Sequence, residues 1–158
     1  MARRGAGLFS VTTILASFFG AAMIAAAFAY FNYKFSEYKF VNFSEWIFYQ
    51  KKEIFTPTAE RYVVVFYSSN VSGTAETLKE AKAAYPILAV DYYQKSFEST
   101  ADTLFVRSGT NTTLQLIQRF NIYHTPTVFI IKKVKDGLYK QDSMIRQLDT
   151  LEDITKDY

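Results

Sequence analysis

No charged residue occurs between positions 5 and 33 of this 158-residue chain, and this run limits the fold more than any other feature. As a helix, a run of this length crosses a hydrocarbon layer about 30 Å thick. A helix satisfies its own backbone hydrogen bonds there, which a single extended segment cannot do. Arg3 and Arg4 precede the run, and aromatic residues from Tyr30 onward close it, as is typical of a membrane interface. We therefore expect residues 1–33 to form an N-terminal transmembrane anchor.

A cleaved signal peptide is the competing interpretation, because residues 25–27 and 27–29 both resemble small-residue cleavage sites. The apolar run exceeds a usual signal core, which favours the anchor. A short basic N-terminus usually remains cytoplasmic, although Lys34 and Lys39 lie close to the other end. We expect a single-pass membrane protein whose folded domain lies on the non-cytoplasmic side, in a periplasm, a lumen or an intermembrane space.

Small residues recur at every fourth position of the anchor. Side chains at this spacing share one helix face and let a second helix approach closely. Chance spacing in an alanine-rich span explains the pattern equally well. If the face has a role, it predicts a transmembrane partner that packs against Thr13, Ser17, Ala21, Ala25 and Ala29.

The following segment, residues 34–58, is an aromatic stalk that carries no glycine and ends at a Thr-Pro-Thr boundary. Phe40, Phe43, Ile47 and Ile54 fit one helical stripe, which predicts an interfacial or docked helix. So many aromatic side chains need a cover of membrane, protein or the folded domain. We expect a mixture of membrane surface and protein partner, with Trp46, Phe48 and Tyr49 at the interface with the partner.

The remaining residues, 59–158, alternate between strand and helix signals. β-Branched and aromatic runs predict strands, and apolar residues at helical spacing predict helices. The predicted order is β-α-β-α-β-β-α, with residues 95–110 as a long loop before the second helix. The predicted segments are 61–67, 74–85, 87–93, 112–120, 127–132, 138–145 and a last short helix that Asp149 caps and that runs to 154.

This order, together with the segment FNIYHTPTVFI at residues 120–130, resembles the thioredoxin-like superfamily. Members carry there a helix end, an aromatic-x-hydrophobic step, then Pro-Thr and an apolar strand. The resemblance covers residues 61–158 and implies an α/β fold with a central mixed β-sheet flanked by helices. It also implies a cis bond between Thr125 and Pro126.

The chain departs from this superfamily where redox members carry Cys-x-x-Cys. The corresponding positions hold Val71, Ser72, Gly73 and Thr74, and the chain contains no cysteine. Thiol–disulfide exchange needs an attacking thiolate and a second, resolving thiol. We therefore expect a non-redox member that is not an enzyme and has no cofactor.

Other chemistries have little support in the sequence. A single histidine, His124, argues against a histidine-rich metal site, and a serine–histidine hydrolase would lack a nucleophile-elbow motif. Lys132, Lys133, Lys135 and Lys140 surround a predicted turn, and we interpret them as a solvated hairpin tip rather than a nucleic-acid surface.

Two functions remain. The first is a non-catalytic accessory or assembly subunit of a larger membrane protein complex. The second is a membrane-tethered peptide-binding or chaperone-like factor that uses the cis-proline face. In redox relatives the backbone before the cis-proline pairs with an extended substrate segment, which needs no cysteine. The resemblance implies that Tyr123, His124, Thr125 and Pro126 form this edge, although a retained loop without a ligand is an equal alternative.

Overall fold

The computed structural model describes residues 10–37 and 40–154. The chain divides into two compact units, Met1–Glu37 and Tyr38–Tyr158. The first unit contains helix α1 (Val11–Glu37), which begins after Ser10. Among the described residues, α1 is the one helix long and apolar enough to cross a membrane, over Val11–Lys34. A signal sequence near an N-terminus meets the same criterion.

The second unit is a mixed α/β fold. Its described elements, in chain order, are β1 (Phe40–Asn42), β2 (Phe48–Gln50), β3 (Glu53–Ile54), β4 (Arg61–Tyr67), α2 (Thr74–Glu80), β5 (Ile87–Asp91), β6 (Thr103–Ser108), α3 (Thr110–Arg119), β7 (Thr127–Lys135), β8 (Leu138–Gln141), β9 (Arg146–Gln147) and a 3₁₀ turn, Leu151–Asp153.

The strands form one nine-stranded sheet in the order β1-β8-β7-β4-β5-β6-β2-β3, and β9 pairs with β7. β4, β5 and β6 are parallel, whereas β7 and β8 are antiparallel to their neighbours. The sheet is curled. As a result Phe43, directly after β1, contacts Phe48 in β2, and their ring centroids lie 5.4 Å apart. The strands at the two edges of the sheet are thus linked through their aromatic side chains.

Strand β4 lies at the centre and is buried on both faces. Tyr62, Val64 and Phe66 point into one core, which also holds side chains of α3. The alternating Val63, Val65 and Tyr67 point into a second core under α2 and the 3₁₀ turn. The period-2 alternation of a strand explains this division, and it places one helix on each face of the sheet.

The aromatic stalk differs from its prediction. Residues 40–55 contain three short strands, not a helix, and they belong to the compact unit that begins at position 38. Trp46 and Phe48 are 3% and 2% exposed and lie in the core rather than at an interface with a partner. Tyr49, which is 36% exposed, points outward on the same strand. The helical spacing of the apolar residues in this segment does not reflect a helix. In β2, a buried Phe48 is followed by an exposed Tyr49, which is the alternation of a strand.

Three further predictions of secondary structure differ from the structure. The segment 95–110, predicted as a loop, contains strand β6. Helix α2 ends at Glu80 rather than near position 85. The last short helix is a 3₁₀ turn whose N-cap position is Thr150 rather than Asp149. The strands predicted at 61–67, 87–93 and 127–132 are confirmed within a few residues.

Candidate functional site

Two loops meet at the carboxyl ends of the parallel strands, and the first is the loop between β4 and α2. It contains the predicted positions Val71, Ser72, Gly73 and Thr74. Gly73 has a φ of 82°, in the left-handed region that glycine adopts at no steric cost. The Thr74 hydroxyl donates hydrogen bonds to the carbonyls of Val71 and Ser68, which closes the loop on itself.

A buried carboxylate accepts hydrogen bonds from this loop. Asp91, at the end of β5, is 1% exposed. One oxygen accepts the Ser69 N–H at 2.8 Å, and the other accepts the Ser69 hydroxyl and the Lys95 N–H, both at 2.8 Å. Three donors compensate for the loss of water around the charge. Asp91 therefore positions the loop.

The second loop joins α3 to β7 and contains Tyr123, His124, Thr125 and Pro126. The Thr125–Pro126 bond is cis, as the resemblance implies. The His124 carbonyl accepts the Thr127 hydroxyl at 2.5 Å, and the Pro126 carbonyl accepts the Leu148 N–H at 2.9 Å. Within residues 40–154, Tyr123 and Thr125 make no hydrogen bond. Their N–H and C=O groups are available to a ligand.

A cavity of about 310 Å³ lies between the two loops. Its walls include Val71, Ser72, Gly73 and Thr74 on one side and Thr125 and Pro126 on the other. Leu151 of the 3₁₀ turn also lines this cavity. The structure therefore brings together positions 71–74 and the proline, which are more than fifty positions apart in sequence.

A second, more apolar cavity of about 420 Å³ lies on the other side of Thr125. Tyr92, Tyr93, Leu114 and Tyr123 line it and are 47%, 50%, 50% and 83% exposed. We call this set the aromatic groove. The rings of Tyr92 and Tyr93 pack edge to face at 5.0 Å, an arrangement that the ring quadrupoles favour. Exposed aromatic side chains in a concave surface are typical of a binding site.

Sequence reasoning missed three residues of the aromatic groove. Tyr92 and Tyr93 follow the last buried residue of β5, where the carboxyl ends of parallel strands carry ligand sites in α/β sheets. Leu114 lies at helical spacing with Ile117 and Phe120 in the predicted helix 112–120, but the buried residues of α3 are Thr113 and Leu116. The Tyr-Tyr pair at a strand end was the signal that could have found the groove.

Burial also affects a tyrosine beneath the site. Tyr67 is 1% exposed, and burial, followed by the nearby Asp91 carboxylate, raises the pKa of its hydroxyl above the ordinary value. The phenol therefore stays neutral at physiological pH. Tyr67 supports the loop by packing, with its ring centroid 6.2 Å from that of Phe105, and supplies no charge to the cavities.

The small-residue face lies in the other unit, on α1. The Ser17 hydroxyl donates to the Thr13 carbonyl at 2.9 Å, which satisfies it within the helix. Ala21, Ala25 and Ala29 form the floor of a shallow depression between bulkier residues such as Ile24 and Phe28. A second helix would meet no long side chain along this floor.

Comparison with models of known families, with curated proteins and with solved structures finds no match to this chain.

Proposed function

We propose that the chain is a membrane-anchored, non-catalytic binding protein whose thioredoxin-like domain holds an extended polypeptide segment at its cis-proline face. The main support for this proposal is the backbone of Tyr123 and Thr125, whose N–H and C=O groups make no hydrogen bond within the described residues. This backbone lies between two cavities. Backbone pairing would supply affinity, and side-chain cavities on each side would supply selectivity. A side chain of the bound segment would enter the aromatic groove.

The thioredoxin-like assignment is supported by three features together. The elements β4, α2, β5, α3, β7 and β8 follow one another in the order the resemblance implies, with β6 inserted. The proline before β7 is cis. The loop at positions 71–74 shares a cavity with it. Since neither loop carries a thiol, the face binds without redox chemistry.

Photo-crosslinking of the full chain in its membrane tests the proposed binding face. Tyr123, replaced with p-benzoylphenylalanine, should crosslink to a discrete polypeptide, because an aromatic side chain in the groove contacts the bound segment. Met144, which is 84% exposed and lies outside both cavities, is the matched control position. Leu114→Asp should abolish the crosslink from position 123. Identical products from both positions would refute the assignment.

The anchor is part of the same proposal, with the folded domain on the non-cytoplasmic side. Its support is the apolar length of α1, Val11–Lys34. After sodium carbonate treatment the full chain should remain with the membrane, because hydrophobic burial of a spanning helix does not depend on charge. Mass spectrometry of the mature chain distinguishes the alternatives. A chain that starts at residue 28 or 30 would show a cleaved signal peptide.

A second candidate function, an accessory or assembly subunit, is favoured by the depression over Ala21, Ala25 and Ala29. Close packing of a partner helix would use this face. Ala25→Leu should then reduce recovery of a stoichiometric partner in mild detergent. Ala27→Leu adds the same volume on the opposite face of α1 and should not. Equal recovery from both variants would remove the support for this candidate.

A further inference from the structure

Three lysines lie on one exposed face of the sheet, at the edge that holds β1, β8 and β7. Lys132 pairs in register with Lys140, and Lys140 pairs with Phe40. Lys135 pairs with Leu138 after a bulge in β7. Cross-strand partners point to the same side of a sheet. We call Lys132, Lys135 and Lys140 the lysine face.

The opposite side of the same strands is core. Val41, Tyr139 and Ile131 alternate with the residues above and are 2%, 0% and 0% exposed. The strand pleat therefore directs the lysine face away from the core and into solvent, which the exposure of all three lysines confirms. All three lysines lie within strands β7 and β8 rather than in the turn, so this face extends beyond a solvated hairpin tip.

The charge of the lysine face is not neutralised within the fold. Among the described residues, Lys132, Lys135 and Lys140 form no ion pair with a carboxylate. The nearby carboxylates are engaged by other cations. Asp136 pairs with Lys133 at 2.6 Å and Asp142 with Arg61 at 3.3 Å, while Glu60 acts on Lys133. Lys140 instead lies 5.9 Å from the centre of the Phe40 ring.

From this geometry we infer that the lysine face docks on an anionic phospholipid surface. Charge complementarity selects the partner, since lysines at a membrane surface attract anionic headgroups in whichever leaflet carries them. The position in sequence supports it, because only residues 38 and 39 separate α1 from β1, the strand that pairs with β8. Phe40 and Leu138 would add apolar contact at headgroup level. The inference rests on the proposed anchor and adds a lipid-binding surface to it.

Amine labelling of the unmodified full chain in nanodiscs tests this surface directly. Nanodiscs of pure phosphatidylcholine are compared with nanodiscs that contain 30% phosphatidylglycerol, and an amine-reactive ester marks accessible lysines for mass spectrometry. Each juxtamembrane lysine biases docking about fivefold. We therefore expect labelling of Lys132, Lys135 and Lys140 to fall at least fivefold in anionic nanodiscs and to recover at high salt, because salt screens exposed charges.

Lys51 and Lys52 provide the matched internal control. They are also exposed and lie in the hairpin turn between β2 and β3, at the other end of the strand order from β1, β8 and β7. Their labelling should not depend on lipid composition. Equal labelling of the lysine face in both nanodiscs would overturn the inference, as would protection by duplex DNA or an acidic protein without protection by phosphatidylglycerol.

A set of variants separates charge from fold. Because the chain has no cysteine, a single spin label at Val134→Cys reports on the lysine face and one at Val71→Cys reports on the cis-proline face. Only the first label should show enhanced relaxation from a headgroup-bound nickel chelate in anionic nanodiscs. Lys132, Lys135 and Lys140 all changed to Glu should abolish that enhancement, whereas the same three changed to Arg should retain it.

Failure of the anchor and failure of docking give different results. A chain that does not enter nanodiscs at all contradicts the transmembrane helix, and the lysine inference falls with it. A chain that enters both kinds of nanodisc but shows no lipid-dependent protection retains the anchor and loses only the lysine face.

Discussion

Two aromatic clusters of this domain have similar composition and opposite surroundings. In the first cluster, three rings of the segment predicted as a stalk, Phe43, Phe48 and Phe55, pack with Tyr62 and Tyr139 at centroid separations of 5.3 to 6.1 Å. All five side chains are at most 7% exposed. In the aromatic groove, Tyr92, Tyr93 and Tyr123 are 47–83% exposed. The buried cluster has its partners within the domain, whereas the groove has room for a ligand. Aromatic content alone therefore does not locate an interface.

Polar contacts at the edge of the buried cluster also stabilise it. The Tyr62 hydroxyl accepts the N–H groups of Thr58 and Ala59, and the Tyr139 hydroxyl donates to the Ala59 carbonyl at 2.6 Å. Trp46 packs under the Arg119 guanidinium, 4.6 Å from the ring centre. These contacts lie within the domain and complete its fold.

The largest expected effect is on the buried cluster. Phe48→Ala should lower the free energy of unfolding by about 3–5 kcal/mol, because it removes a fully buried ring and leaves a cavity. Fluorescence of Trp46, the single tryptophan, reports on this region during urea unfolding of the full chain in detergent. A loss below about 1 kcal/mol would mean that the segment is an interface after all, as the sequence suggested.

A smaller effect is expected where the groove meets the core. Asp91→Ala should lower the free energy of unfolding by about 1–3 kcal/mol, because the half-buried N–H and hydroxyl of Ser69 lose their acceptor. Hydrogen exchange should speed up at Ser69 and its neighbours and remain slow in β7. Ser69→Ala keeps the backbone N–H bond and is the milder control. Similar exchange in the two variants would contradict the role of the carboxylate as the support of the loop.

The comparison also shows which parts of the fold the sequence could predict. Strands β4, β5 and β7 were predictable because burial on both faces produces continuous apolar runs. The loop at 71–74, the cis-proline and their shared face followed from the resemblance. Strand β6 was missed because its apolar run is only three residues long, positions 104–106, and pairing with β5 on one side and β2 on the other determines its backbone.

In the predicted stalk the error was of the opposite kind, because the local pattern indicated a helix where the structure has short strands. Strands of two or three residues such as β1 and β3 have no intrinsic signal, because pairing with β8 and β2 determines their conformation. Burial of Phe48 depends on Phe43 and Phe55 across the curled sheet, a contact that no local pattern indicates. Short edge elements and exposed groove residues are thus where local sequence is least informative.

The smallest effect on stability, and the sharpest division between the clusters, is expected at Tyr123. Tyr123→Ala removes a side chain that is 83% exposed and makes no hydrogen bond within the described residues, so the free energy of unfolding should change by less than about 0.5 kcal/mol. The same change removes an aromatic wall of the groove and should weaken binding of an extended peptide by about tenfold or more. Binding is measured with the full chain in nanodiscs, with peptides selected from a random library. Lys51→Ala, at an exposed turn outside both cavities, should alter neither quantity. If Tyr123→Ala destabilises the domain as Phe48→Ala does, the groove is part of the core and the proposed binding face is wrong. If stability and binding are both unchanged, the groove is an exposed surface without this ligand, and the helix face at Ala25 becomes the better supported route to a partner.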